Sequence, residues 1–291
     1  MNKLDFNIVD VFAEEKYAGN QLAVVRYGKG LTKPEMQKIA REINYSETTF
    51  IITDKKRDDG YDVRIFTPKE EIPFAGHPTL GTAYVIREEI IGKPVEKVVL
   101  NLKVGHIPVT SSPDNILWMR QNEPTFGQTF ETGKISDILG IDKDAIDSKS
   151  PIETVSTGLP FIIVPLKNLE TIRKCSVARE PYFELIKGTE AKSILVFSPE
   201  TYSAENDLNV RVFVDYFGVP EDPATGSGNG CLAAYLLKHQ YFKTQRLKVR
   251  VEQGYEIGRR SLLYLDAKTD GDSIRVSVGG RVVPIAKGTL L

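Results

Sequence analysis

Cysteine is scarce: Cys175 and Cys231 are the only two. They are too few for a disulfide scaffold and too isolated for a metal site. Histidine is also sparse, and His77, His106 and His239 have no mutual ligand spacing, which excludes a structural zinc site. Charge of one sign is missing as well. Lys and Arg number 38 against 39 Asp and Glu, for a net charge of −1. No global field draws the chain to nucleic acid or to an anionic membrane. The nearest basic run, Lys55-Lys56-Arg57, is followed at once by Asp58-Asp59-Gly60 and reads as a loop between strands. The longest apolar stretch, around Leu159 to Leu166, is too short to span a bilayer and contains Pro160 and Pro165. The segment Met1 to Phe6 lacks an apolar core of signal-peptide length. No Gly-Lys-Ser/Thr follows the glycine-rich run, which removes a Walker-type phosphate loop. These absences predict a soluble, cytoplasmic protein without metal, nucleic-acid or membrane partners.

What is present fits a globular chain: 41% hydrophobic and 26% charged residues over 291 positions. That length predicts about two domains with sizeable cores. Strand patterns cover Phe6 to Phe12, Leu22 to Val25, Thr48 to Ile52 and Tyr61 to Phe66. Thr32 caps a helix that carries Pro34 in its first turn and runs to about Glu42. A second helix is predicted over Pro78 to Ile91, with mostly strand from Lys97 to Met119. The second half repeats the theme: strand, turn and strand over Thr154 to Val164, then a short helix from Pro181 to about Ile186. Strands follow at Ile194 to Phe197 and Asn209 to Asp215, a helix at Ser227 to His239, and mostly strand from Arg246 to Arg281. The stretch Gln121 to Thr132, with Asn122, Pro124 and Gly127, reads as the junction between halves.

Two correspondences point to an internal duplication. Gly19-Asn20-Gln21-Leu22-Ala23-Val24-Val25 aligns with Gly158-Leu159-Pro160-Phe161-Ile162-Ile163-Val164, 139 residues on. Glu71-Ile72-Pro73-Phe74-Ala75-Gly76-His77 aligns with Glu221-Asp222-Pro223-Ala224-Thr225-Gly226-Ser227, 150 residues on. In each copy an acidic-Pro loop leads through small residues into a helix. Backbone N–H groups at such a start are unpaired and the helix dipole is positive. That suits a carboxylate, and charge developing on its oxygens as an adjacent carbon loses a proton. The plainer reading, turn and packing glycines, stays open for Gly226, Gly228 and Gly230 taken singly. Proton transfer needs a titratable group. Glu47 lies where a helix gives way to an apolar strand, a setting expected to raise a carboxyl pKa towards neutrality. A solvated Glu at a strand start is the alternative. His77 is a candidate donor or proton partner, or simply a cap. Asp222 is a candidate partner of His77 or Glu47, or simply a loop end before Pro223.

The blocks Gly19-Asn20-Gln21-Leu22-Ala23-Val24-Val25, Ser46-Glu47-Thr48-Thr49-Phe50, Phe66-Thr67-Pro68, Glu71 through Gly81, and Glu221 through Gly228 together resemble the PhzF family of phenazine biosynthesis. The resemblance runs from about residue 7 to about residue 240. It implies an α+β, diaminopimelate-epimerase-like fold. In that fold two pseudo-symmetric half-domains are each a mostly antiparallel, barrel-like sheet around a central helix, with the active site between them. The halves are placed at residues 1–120, with a C-terminal strand at about 282–291 returning to them, and at 121–281. The resemblance further implies a metal- and coenzyme-independent isomerase, typically homodimeric, acting on trans-2,3-dihydro-3-hydroxyanthranilate or a related small carboxylate. By the same resemblance Glu47 is the catalytic acid/base, with His77 and Asp222 as further catalytic residues. Gly76, Gly226 and Ser227 receive the substrate carboxylate. Related racemases use two opposed cysteines, and the loop match places those at Ala75 and Thr225, neither a thiol. Cys231, one turn inside its helix, reads as core packing.

Two competing readings remain. Gly228-Asn229-Gly230-Cys231-Leu232-Ala233 matches G-x-G-x-x-[GA], with Glu252 roughly 20 residues on, as in a dinucleotide-binding oxidoreductase. That fingerprint requires its glycines directly after a strand. The other alternative is a catalytically inactive protein that keeps the cleft and binds a small acid.

Overall fold

The computed structural model describes residues 4–271 and 273–291, and the chain divides into two compact units. The first comprises Met1–Met119 with Gly279–Leu291, the second Arg120–Val278. In the first unit the elements run β1 (Leu4–Val11), β2 (Asn20–Val25), α1 (Lys33–Ile43), β3 (Thr48–Ile51), β4 (Tyr61–Phe66), β5 (Glu71–Ile72), α2 (Gly76–Val85), β6 (Lys97–Leu102), β7 (Gly105–Ser111) and β8 (Leu117–Arg120). Past Val85 the helix widens into a π-helical segment, Ile86–Ile91, which ends at Gly92 in the left-handed region (φ 66°). The predicted helix therefore starts two residues earlier than expected, and its second part changes winding. Thr32 and Glu35 close a reciprocal capping box at the start of α1, with Pro34 in the first turn.

The second unit runs β9 (Thr125–Phe130), α3 (Thr132–Leu139), β10 (Ile152–Ser156), β11 (Pro160–Pro165), α4 (Leu169–Lys174), α5 (Arg179–Lys187), β12 (Ser193–Ser198), β13 (Leu208–Val214), β14 (Val219–Asp222), α6 (Gly226–Lys238), β15 (Arg246–Gln253), β16 (Ser261–Asp270) and β17 (Ser273–Gly280). The stretch read as a junction is in part a strand: β9 pairs antiparallel with β10. The last strand, β18 (Val282–Leu290), belongs to the first unit and pairs antiparallel with β1.

Each unit repeats one pairing scheme. In the first, β1–β2 is antiparallel, β2–β3 parallel, β3–β4 and β4–β5 antiparallel, β4–β6 parallel and β6–β7 antiparallel. In the second, β10–β11, β11–β12, β12–β13, β13–β14, β13–β15 and β15–β16 follow the same alternation. Each unit also buries one helix on nearly every side. Eight of the ten residues of α2 are buried, and eleven of the thirteen of α6. A helix apolar all round belongs inside a core. Gly81 lets α2 approach Leu22 and Val11, while Gly228 lets α6 approach Phe161 and Leu195. Each fully buried aliphatic side chain, Leu22 or Leu195 for example, contributes roughly 1.5–3 kcal/mol.

A shared clamp fixes the loop ahead of each buried helix. On β4, Arg64 makes two hydrogen bonds, 2.8 and 2.9 Å, to Glu71 on β5. On β13, Arg211 does the same to Glu221 on β14, at 3.0 and 2.7 Å. In both units the arginine lies two residues before a phenylalanine, Phe66 or Phe213, that pairs across the strands with the glutamate. The fork of a guanidinium matches a carboxylate at two points, so the pair sets direction as well as distance. The motif Val-Arg-x-Phe behind it, at Val63–Phe66 and Val210–Phe213, is a third internal correspondence that the block alignments above overlook.

Candidate active site

In the first unit Glu47 sits directly before β3, its side chain 17% exposed, and His77 is the second residue of α2, its side chain 8% exposed. The structure brings the two together: His77 Nε2 lies 3.3 Å from Glu47 Oε2. Burial pushes the imidazole down to about 3, against a hydrogen bond between the ring and the backbone of Gln21 that acts the other way. At neutral pH the ring is therefore uncharged, and its contact with Glu47 is not an ion pair. The positive end of α2 disfavours imidazolium in the same direction. The Gln21 bond engages the other ring nitrogen, so Nε2 presents its lone pair towards the Glu47 carboxyl. Gly76 opens α2 beside His77. The residue ahead of it, Ala75, has no side chain able to cap the helix.

The strands on either side hold this arrangement. Gln21 on β2 supplies the backbone group that orients His77. Thr49 on β3 shares a buried 2.7 Å hydrogen bond with Thr82 on α2, tying the strand that follows Glu47 to the helix that carries His77. Thr79 Oγ1 donates back to the Ala75 carbonyl at 2.7 Å, which tightens the first turn of α2.

In the second unit Asp222 ends β14, while Gly226 and Ser227 open α6. The residue before α6, Thr225, does not cap the helix. Its hydroxyl instead donates to Asp222 Oδ2 at 2.5 Å. Asn229 Nδ2 donates back to the Thr225 carbonyl at 3.1 Å, the counterpart of Thr79 in the first unit. Glu47, His77 and Gly76 thus share one unit, and Asp222, Gly226 and Ser227 share the other.

The glycines of the dinucleotide-like run do a different job. They lie within or at the start of α6, not on a turn leaving a strand. A Cβ on Gly230 would come within 3.0 Å of the Gln121 side chain, and one on Gly228 within 3.1 Å of Phe161. Glu252, the candidate ribose acid, is fully buried and accepts hydrogen bonds from Tyr202 N, Ser203 N, Asn206 Nδ2 and Asn209 Nδ2. The fingerprint is a packing feature and the glutamate a loop anchor. Cys231 is likewise core: it is fully buried, and burial pushes its thiol up to about 12. Among the described residues no group of three or more His, Cys, Asp or Glu is placed to hold a metal ion. No helix among them is long and apolar enough to cross a membrane.

Residues 9–288 match the family model described as phenazine biosynthesis-like protein (PhzC-PhzF). An uncharacterized isomerase of Clostridium acetobutylicum is 31% identical, over 100% of this chain and 99% of its own length. The trans-2,3-dihydro-3-hydroxyanthranilate isomerase of Pseudomonas fluorescens is 32% identical, over 99% of both chains. The crystal structure of a PhzF-family phenazine biosynthesis protein from Bacillus anthracis superposes with a TM-score of 0.91 at 27% identity, covering both chains fully. With full-length matches of this kind and a diaminopimelate-epimerase-like fold, the chain belongs to the phenazine biosynthesis-like (PhzF) family and is an isomerase.

Proposed function

We propose that the protein isomerises a small unsaturated carboxylic acid by moving one proton between two carbons without a metal or coenzyme. Glu47 is the acid/base. The observation that carries this reading is the 3.3 Å approach of Glu47 to a buried, uncharged His77. A neutral imidazole with its lone pair turned to a carboxyl accepts a hydrogen bond only from the protonated form. The ring therefore offers the protonated form of Glu47 an acceptor without placing a charge beside it. In the reaction Glu47 gives its proton to one carbon of the conjugated acid and takes one from another, so no atom is gained or lost. The absence of cysteine from this chain at positions 75 and 225, which are Ala75 and Thr225, fits a single carboxylate returning the proton on one face, not two opposed thiols inverting a stereocentre. The N–H groups of Gly76 and, in the second unit, of Gly226 and Ser227 are the proposed donors to substrate oxygens. Asp222 is the further catalytic residue of the second unit. The relative from Pseudomonas fluorescens makes trans-2,3-dihydro-3-hydroxyanthranilate the first substrate to test.

The test is proton exchange. Incubated with that acid in deuterated water, the native protein should convert it and place deuterium on its carbon skeleton, read by NMR. Glu47→Gln should lower the rate by roughly 10²–10⁴-fold while binding persists. A glutamine variant that turns over at the native rate removes Glu47 from the role. Tight binding with no exchange by the native protein identifies a binder instead of an enzyme.

A further inference from the structure

Gln253, fully buried at the end of β15, reaches into the Asp222 loop through four hydrogen bonds. Its Oε1 accepts from the Thr225 backbone N–H at 3.1 Å and from Asn229 Nδ2 at 2.8 Å. Its Nε2 donates to the Asp222 backbone carbonyl at 2.8 Å and to Thr225 Oγ1 at 3.0 Å. Two of these partners are backbone groups whose roles cannot change. A flipped amide would set Nε2 against an N–H and Oε1 against a carbonyl, so the orientation is determined. Thr225 Oγ1 is then an acceptor from Gln253, and its single hydrogen is left for Asp222 Oδ2, 2.5 Å away. The hydrogens run one way, from Gln253 through Thr225 to Asp222.

The first unit shows that the fold does not require this polar set. At the positions of Asp222 and Thr225 it has Ile72 and Ala75, by the correspondence of the two acidic-Pro loops. Continuing the β4–β6 register by one residue past Asp62↔Asn101 places Leu102 where Gln253 stands in the β13–β15 register. The same helix start is built there with apolar side chains. Burying an amide costs free energy unless every group is satisfied. The second unit bears that cost only where a carboxylate is present to be oriented.

We propose that Gln253 is a positioning residue for the reaction: acting through Thr225, it fixes Asp222 Oδ2 as an acceptor and so sets the orientation of the Asp222 carboxylate. The inference rests on the reading of Asp222 as a catalytic residue. The experiment measures the pH–rate profile on trans-2,3-dihydro-3-hydroxyanthranilate for the native protein and for Thr225→Val, Thr225→Ser, Gln253→Glu and Asp222→Ala, with a thermal melt of each. Valine matches threonine in shape without the hydroxyl, and glutamate cannot donate to Thr225 while ionised. Both should lower kcat by about 10²-fold, the scale of a misplaced catalytic group, with KM little changed. The acid limb should move to higher pH, because a carboxylate that loses a hydroxyl donor is protonated more readily. Serine should restore the native profile. If Asp222→Ala is slow but Thr225→Val keeps the native kcat and profile, the relay is wrong while the role of Asp222 stands. If Asp222→Ala turns over at the native rate, the underlying reading fails. A native protein that leaves the acid unchanged overturns both.

Discussion

Glu71 shows how a single buried carboxylate ties stability to pH. Its side chain is 2% exposed, and hydrogen bonds from Arg64 first and Lys103 second, against desolvation, hold its carboxyl down to about 2 from an ordinary 4.5. A carboxyl lowered in the folded state stabilises fully above its unfolded value, and that contribution is lost as the pH falls through the folded one. The window is therefore about 4.5 down to about 2, and the contribution is about 3 kcal/mol. The melting temperature of the native protein should exceed that of Glu71→Gln by a wide margin at pH 6, and the gap should close across this window. A gap unchanged on acidification would mean that the clamp acts by packing alone. His77 titrates in the same low range for the opposite reason, burial of a base. It gains a charge only in acid, which argues against a histidine-driven change in activity near neutrality.

At the scale of elements, α2 packs closely against its sheet. A Cβ on Gly81 would stand 2.6 Å from Leu22 Cδ2 and 2.8 Å from Val11 Cγ2, both on fully buried side chains. Gly81→Ala should cost about 1–3 kcal/mol by overpacking, measured by chemical denaturation. Gly30→Ala, where nothing lies within 4 Å, should stay within about 0.5 kcal/mol. Equal costs at the two positions would refute the packing account. The same elements show what is readable from the chain. Thr32 and Pro34 announce α1, the Tyr61 to Phe66 pattern announces β4, and the small-residue run announces the start of α6, because each signal is local. The strand β9 escapes, since most of its side chains are exposed and carry no apolar alternation. The six-residue helix α4 is too short to show a period. Gln253 escapes for another reason: its partners lie 24 to 31 residues away, and only the sheet register brings them together. The Arg64–Glu71 and Arg211–Glu221 clamps are announced by Val-Arg-x-Phe, but only to a reader comparing both halves.

For the whole molecule, the chain's last strand is structural. The strand β18 matches β1 from Leu4↔Leu290 to Val11↔Val282. A chain ending at residue 281 would leave one side of β1 with unpaired N–H and C=O groups. Its first unit should lose amide protection throughout β1 and β2, while residues 120–278 remain protected. Hydrogen exchange with mass-spectrometric readout distinguishes this from a local fray, in which β1 would stay fully protected.

That closure also sets an order of events at the ribosome. Synthesis delivers residues at roughly 5–20 per second, and domains usually fold in the order they emerge. Here the first unit is completed after the second, because β1 must wait for β18, which follows the second unit in the chain. The second unit, continuous from Arg120 to Val278, has all its strands in hand earlier. During translation β1 is an open edge, and whatever shields nascent chains from joining edge to edge must guard it until β18 leaves the exit tunnel.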